Sequence, residues 1–243
     1  LSRQLSIVIP VGPGDKSWKH LLDRLHKITP KKLSCEVLLS ACQEDRQFDG
    51  DFLAKFEGKK HVKVHLIAGT HGRARQLNRA IAKLKTEFVW VLHADSEISS
   101  DHFEEILAAM HSCGECLYYF PLGFFQPSHM LLRLNALGAN LRSRFGIPFG
   151  DQGFFFKVKT WCKVGGFSES ASYGEDHLFV WQCHRHNVPL FAFKSTLYTS
   201  PRRYEEHGWL KTTVKFAYLT WLQALPEGIK LLRSKISKRN LSL

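Results

Sequence analysis

Three groups able to bind a metal ion or move a proton, His93, Asp95 and Glu97, follow directly on the apolar run Phe88–Leu92. A run rich in β-branched and aromatic residues reads as a buried strand of a parallel sheet. Ligands of open α/β sheets bind just outside the carboxyl ends of the strands. A carboxylate at Asp95 is therefore well placed to hold a divalent cation against a phosphate. The plain alternative is a strand leading into a capped helix, with Asp95 or Ser99 as N-cap and Glu104 in the first turns.

Other chemistry-bearing groups recur along the chain. Gly72-Arg-Ala-Arg-Gln-Leu-Asn78 opens a helix just before that strand. Arg73 and Arg75 could grip a diphosphate through forked, charge-assisted hydrogen bonds, and Asn78 could read a base or ribose. The alternative is a solvated helix face. Asp151 and Gln152, flanked by Gly150 and Gly153, could approach a ligand closely, or merely cap a turn. Glu175 and Asp176 open a helix after Gly174. A carboxylate there is stabilised as a cap, and at a pocket mouth it could accept a proton from a hydroxyl. Arg202, Arg203 and His207 could neutralise a leaving diphosphate, with His207 completing a metal site beside Asp95. A surface histidine beside Glu205 and Glu206 is the simpler reading of His207.

Composition narrows the classes. At 243 residues the chain suits one large or two small domains, and its apolar and charged shares (44% and 23%) are those of a globular protein. The net charge of +12 favours an anionic partner. The basic residues are dispersed and no aromatic-and-basic pattern of an RNA-binding sheet is present, so nucleic acid is not expected. Six cysteines in this length do not make a disulfide scaffold. Cys113-Gly-Glu-Cys116 is a single pair without a second at zinc-finger spacing, and reduced cysteines are expected rather than a structural zinc. No amino-terminal leader is read, and no run approaches the ~20 apolar residues of a membrane span. A cytoplasmic protein is expected.

The elements that must position these groups alternate. Strands are expected at Leu5–Val11, Glu36–Leu39, Val62–Ile67 and Phe88–Leu92, with helices at Trp18–Lys27, Gly72–Leu84 and Phe103–Met110. That order implies right-handed crossovers and a largely parallel sheet. Further on, an aromatic run at Leu117–Phe125 precedes a helix from about Ser128 to Arg144. A strand at Phe154–Val158, a helix at Asp176–His186 and a strand at Phe191–Thr199 follow. Last come a long helix at Trp209–Leu225 and a basic, fraying tail from Glu227. Trp209, Leu210, Val214, Ala217, Tyr218, Trp221 and Leu225 recur at helical spacing, which favours core packing. Lys211 and Lys215 beside them, with Phe216 and Leu219, keep membrane-surface docking open. Without repeats or a low-complexity linker, one domain in two parts, about 1–112 and 113–243, is expected.

Taken in order, these segments resemble the family 2 inverting glycosyltransferases of the GT-A fold, and more narrowly their small, single-domain bacterial members. The matching text is Ser6-Ile-Val-Ile-Pro10, Gly72–Asn78, Leu92-His-Ala-Asp-Ser96, Asn140-Leu-Arg-Ser-Arg144, Gly150–Gly153, Val164-Gly-Gly-Phe167, Glu175-Asp176, Arg202-Arg203 and His207-Gly208. The resemblance implies a Rossmann-like, mostly parallel sheet flanked by helices, a nucleotide-sugar donor, and a divalent cofactor, Mg or Mn. It implies donor contacts from Pro10, Asp15, Arg73, Arg75, Asn78, His93, Asp95, Arg202 and Arg203, with metal held by Asp95 and His207. Asp176 inherits the role of base, and Asp151, Gln152 and Glu175 face the acceptor, which is a glycan, a lipid or a small molecule.

Two departures stand out. His93 replaces the first Asp of the usual Asp-x-Asp, and Ser40-Ala-Cys42 stands where the family commonly has a base-reading Asp. Asp15 takes the place of an acidic residue in the first loop, shifted by one position. A silent nucleotide-sugar-binding protein on the same fold is the main competing reading. A nucleotidyltransferase is a weaker one, because its phosphate loop after the first strand is not visible.

Overall fold

A computed structural model describes residues 3–43, 53, 55–56, 61–112, 114–127 and 130–240. The first half runs β1 (Arg3–Pro10), α1 (Trp18–Ile28), β2 (Leu33–Cys42), β3 (Val62–Gly69), α2 (Arg73–Ile81), β4 (Phe88–Val91) and α3 (Ser100–Ser112). The second half runs β5 (Leu117–Tyr119), β6 (Leu122–Phe124), α4 (Met130–Arg144), a 3₁₀ turn (Gly150–Gln152), β7 (Phe155–Lys157) and α5 (Val158–Val164). It continues through α6 (Glu175–Arg185), β8 (Leu190–Ala192), β9 (Leu197–Thr199), α7 (Arg202–His207) and α8 (Trp209–Asn240).

Seven strands form one sheet in the order β3-β2-β1-β4-β7-β5-β8. The first four are parallel, β7 runs against β4 and β5, and β5 and β8 are parallel. This is the mixed, mostly parallel α/β sheet expected. Every residue of β4 is buried, so the strand needs apolar side chains on both faces, as its unbroken hydrophobic sequence provides. Helix α1 shows the complementary logic, with Trp18, Leu21, Leu22 and Leu25 buried at helical spacing. Asp15 fastens the loop before it: one carboxylate oxygen accepts from the amide of Ser17, the N-cap residue, at 2.9 Å and from the Ser17 hydroxyl.

Three expectations change here. The runs Leu117–Phe125 and Phe191–Thr199 are each two strands, because each crosses from the large sheet to a second, two-stranded β6-β9 sheet. Pro121, lacking an amide hydrogen, ends β5 and offers its carbonyl to Leu197 N at 2.8 Å. The terminal helix does not stop at Leu225 but continues through Pro226 to Asn240. Glu227 is buried and paired with Arg185 of α6 and with Lys230, so tertiary contacts carry the helix past its proline. The cysteines differ too. Cys116 is disulfide-bonded, whereas Cys35, Cys162 and Cys183 are free; Cys113 lies outside the described residues.

The largest correction concerns α8. Leu210, Val214, Tyr218, Trp221 and Leu225 are 58–65% exposed rather than packed in the core. Its opposite face is the anchored one. Gln223 bonds His177 (2.7 Å) and the Tyr173 carbonyl (3.1 Å), and Thr213 accepts from Asn135 of α4 at 3.0 Å. Trp209 packs with Tyr204, Ala136 and Ala139 against Leu122, Phe124 and Leu132.

Candidate active site

The strand ends and helix starts converge as the parallel topology dictates. Beyond β4 the chain turns sharply, with Ser96 N bonded to the His93 carbonyl at 3.2 Å, which leaves His93 and Asp95 at the carboxyl edge of the sheet. Arg73, the first residue of α2, donates to His93 Nε2 and pairs through Nε with Glu175 Oε1 at 2.6 Å. One guanidinium thus ties the end of β4 to the start of α6. Burial, then the charges of Arg73 and Arg203, hold the His93 pKa well below the usual imidazole range, so the ring is neutral and accepts Arg73.

The 3₁₀ turn closes the other side. Asp176 Oδ2 accepts from Gly150 N at 2.6 Å, and its Oδ1 accepts from His177 N at 2.8 Å. A Cβ built on Gly150 would lie 2.8 Å from Asp176 Oδ2 and 3.3 Å from Arg73 Nη2, so this position has no room for a side chain. Asp151 follows, and its Oδ1 is buried with no hydrogen-bond partner. Burial raises the Asp151 pKa to about 6, opposed by the Arg142 charge and reinforced by Asp176. Burial also raises Glu175, and the neighbouring Asp176 charge adds to it against the pull of Arg73.

Asp95 stands toward β1 and β9. Thr199 donates to its Oδ1 at 3.3 Å. Burial raises its pKa first; the Asp15 charge raises it further, while Arg202 lowers it. Arg202 Nη2 lies 3.8 Å from Asp15 Oδ2. The Asp95 carboxylate and the Thr199 hydroxyl bonded to it, with the Asp15 carboxylate near enough for its charge to act on Asp95, are hard oxygen donors of the kind that suits Mg²⁺ or Mn²⁺. Among the described residues no group of three or more His, Cys, Asp or Glu side chains is arranged around a metal position. His207 sits exposed at the end of α7, and His93 Nε2 is taken by Arg73.

Most of the residues singled out in the sequence meet here: Asp15, Arg73, His93, Asp95, Asp151, Glu175, Asp176, Arg202 and Arg203. Pro10 is buried at the end of β1, in register with Ser40. Three others face elsewhere. Asn78 is saturated within the scaffold: its amide nitrogen donates to Phe167 O and Glu169 Oε1, and its oxygen accepts from Phe167 N and Trp161 Nε1. Arg75 is exposed and joins Asn78, Trp161 and Glu169 in a separate groove beside α2. Gln152 is fully buried, bonding Phe149 N, Phe120 O and Ser143 Oγ.

Two contributors escaped the sequence reading. Arg142 lies 3.4 Å over the Phe149 ring, bonds Ile147 O at 2.9 Å, and its charge reaches both Asp151 and Asp176. Its signal was the Asn140–Arg144 segment, which matched as text without a role. Arg79 donates to Ala41 O at 3.0 Å and to Ser40 Oγ at 3.3 Å. It covers the end of β2, where an acidic residue was looked for; nothing in its helical position announces this.

Residues 49–159 match the family model described as glycosyl transferase family 2. No curated protein matches the chain by sequence. Among solved structures, S. aureus TarS 1-349 aligns with a TM-score of 0.61 at 18% identity, over 84% of this chain and 62% of that one. The same protein in complex with UDP-GlcNAc gives 0.59 and 18%, over 81% and 58%. The mannosyltransferase PcManGT from Pyrobaculum calidifontis, in complex with GDP-Man and Mn²⁺, gives 0.64 and 15%, over 95% and 68%. The chain therefore spans less than two thirds of the TarS chains, and at these identities the likeness is one of fold. The match to that family model thus spans a little under half of the chain, and it is set in a sheet of the GT-A fold that extends on both sides of it.

Proposed function

We propose that this cluster transfers a sugar from a nucleotide-sugar donor to a hydroxyl acceptor with inversion at the anomeric carbon. The observation that carries the reading is the convergence of cationic Arg73, Arg202 and Arg203 with the carboxylates Asp95, Asp151 and Asp176 at the carboxyl edge of the sheet. Structural neighbours bound to UDP-GlcNAc or to GDP-Man and Mn²⁺ support it. The arginines hold the donor diphosphate by forked hydrogen bonds and charge. Asp95 and Asp15 would hold a divalent cation, which when bound supplies Lewis-acid stabilisation to the diphosphate. His207, exposed at the end of α7, joins them only if α7 closes over the donor.

The transfer is one in-line displacement. The acceptor oxygen forms its bond to the anomeric carbon as the bond to the diphosphate oxygen breaks. The acceptor proton passes to a carboxylate, and the diphosphate departs with the electron pair. Asp176 is that base in the first reading, positioned by the start of α6. A specific observation favours a second: both oxygens of Asp176 already accept backbone N–H groups, whereas Asp151 Oδ1 has no partner. Its pKa, raised to about 6, also suits a base working near neutrality.

The test is nucleoside diphosphate release from a panel of UDP- and GDP-sugars, with and without Mn²⁺ or Mg²⁺. Metal-dependent release, lost in folded Asp95→Ala and in one of Asp176→Asn and Asp151→Asn, is expected. Tight donor binding without any turnover would replace this reading with a silent binder, and full activity in Asp95→Ala would remove Asp95 from the site.

A further inference from the structure

The apolar stripe of α8 is left uncovered by the described residues. Leu210, Val214, Tyr218, Trp221 and Leu225 recur every three or four residues, and Leu222, Ile229, Leu232 and Ile236 extend the surface, all at least half exposed. Helix α4, joined to α8 by the Asn135–Thr213 bond, carries a second stripe: Met130, Leu134, Leu137 and Leu141 are 54–70% exposed. So large an exposed apolar surface calls for an occupant. No helix among the described residues is long and apolar enough to cross a membrane, which leaves surface docking rather than insertion.

The charges choose the occupant. Helix α4 contains no acidic residue, and α8 contains one, Glu227, which is buried and paired with Arg185 and Lys230. Exposed charges along the two stripes are all positive: Arg133, Arg144, Lys211, Lys215, Lys230 and Arg233. Two copies of such a face would set like charges against each other. An anionic bilayer would attract both parts, with the apolar side chains at the acyl boundary and the basic groups reaching to headgroups. Tyr218 and Trp221, apolar bodies with a polar atom, are the residue types that settle at that boundary.

We infer that the exposed faces of α4 and α8 dock this protein on the surface of a bilayer rich in anionic lipid. This goes beyond the transfer reaction and does not depend on it. Both faces lie on helices that also reach the reaction cluster, α4 through Arg142 and α8 through Trp209 beside Tyr204. A docked molecule would therefore hold its reaction site close to the lipid surface.

Co-sedimentation of the whole chain with phosphatidylcholine vesicles, with and without phosphatidylglycerol, tests it. Binding is expected on phosphatidylglycerol vesicles, weakened by salt, and lower on phosphatidylcholine alone. The double variants Trp221→Glu/Leu225→Glu and Leu137→Glu/Leu141→Glu change exposed residues and should fold. Each should bind at least about tenfold more weakly, since one buried large side chain is worth that factor or more. Lys211→Glu/Lys215→Glu should lose the preference for anionic lipid. Absence of binding at low salt, or variants that bind like the parent, overturns the inference. So does a dimer in sedimentation velocity that Leu225→Glu dissociates and that vesicles do not compete for.

Discussion

Replacing Asp151 with Asn should stabilise the ligand-free protein at neutral pH while harming the reaction. Folding moves the Asp151 pKa from its ordinary value of 3.8 to about 6, chiefly through burial. A carboxyl whose pKa is raised by folding is at ease when protonated. Its contribution is therefore fully present below pH ~4, is lost as pH rises through about 6, and is absent above that. The whole move corresponds to about 3 kcal/mol. Asn carries no charge to bury, so Asp151→Asn should exceed the parent by up to that amount at pH 8 and match it near pH 4. For a chain of this size that is a rise in Tm of roughly 6–12 °C at pH 8. Thermal melts of both proteins between pH 4 and 8, without metal or nucleotide, read it directly. A difference that is constant with pH, or a variant less stable at pH 8, would refute the placement of Asp151 in a desolvated site beside other carboxylates.

Other expectations follow from named contacts. Asn78→Ala should lower stability by about 2–4 kcal/mol, because two hydrogen bonds to Phe167 and one each to Trp161 and Glu169 are lost; donor affinity of the folded variant should stay within twofold, as calorimetry can check. Gly150→Ala forces a Cβ to within 2.8 Å of Asp176 Oδ2, so turnover should fall at least about tenfold, with little change in donor binding. Arg142→Lys keeps a charge but not a planar group to lie on Phe149; it should shift the acid limb of the pH–rate profile upward if Asp151 is the base, since a weaker cationic neighbour lowers that pKa less. An unchanged profile would favour Asp176.

The half of the chain where each element buries one continuous pattern was legible in sequence. In β1, β4, α1 and α2 the apolar spacing alone fixes what is buried, and the groups at their ends fall where an open α/β sheet puts its ligands. The second half resisted because its runs serve two sheets: Pro121 turns an unbroken aromatic stretch from β5 into β6 without any polar signal. Helix α8 misled for the opposite reason. Its apolar spacing is that of a core helix, and only the tertiary structure shows that the face bonded to α4 and α6 is the more polar one. In the site, Asn78 and Gln152 have the residue types of ligand contacts, yet both are used up by backbone partners. Spacing in sequence cannot distinguish a side chain that meets a substrate from one that fastens a turn. Arg142 shows the reverse case, a scaffold helix residue whose charge acts on two site carboxylates.

In the proposed reaction one cluster, at the carboxyl edge of the sheet, is where a diphosphate and a divalent cation would meet. Crystals grown with a nucleoside diphosphate and Mn²⁺, with the metal located by its anomalous scattering, test that most directly. The expected result is a Mn²⁺ peak on the Asp95 carboxylate, with the diphosphate between it and the guanidinium groups of Arg73, Arg202 or Arg203. A metal and diphosphate bound elsewhere, such as the groove lined by Arg75 and Asn78, would contradict the account.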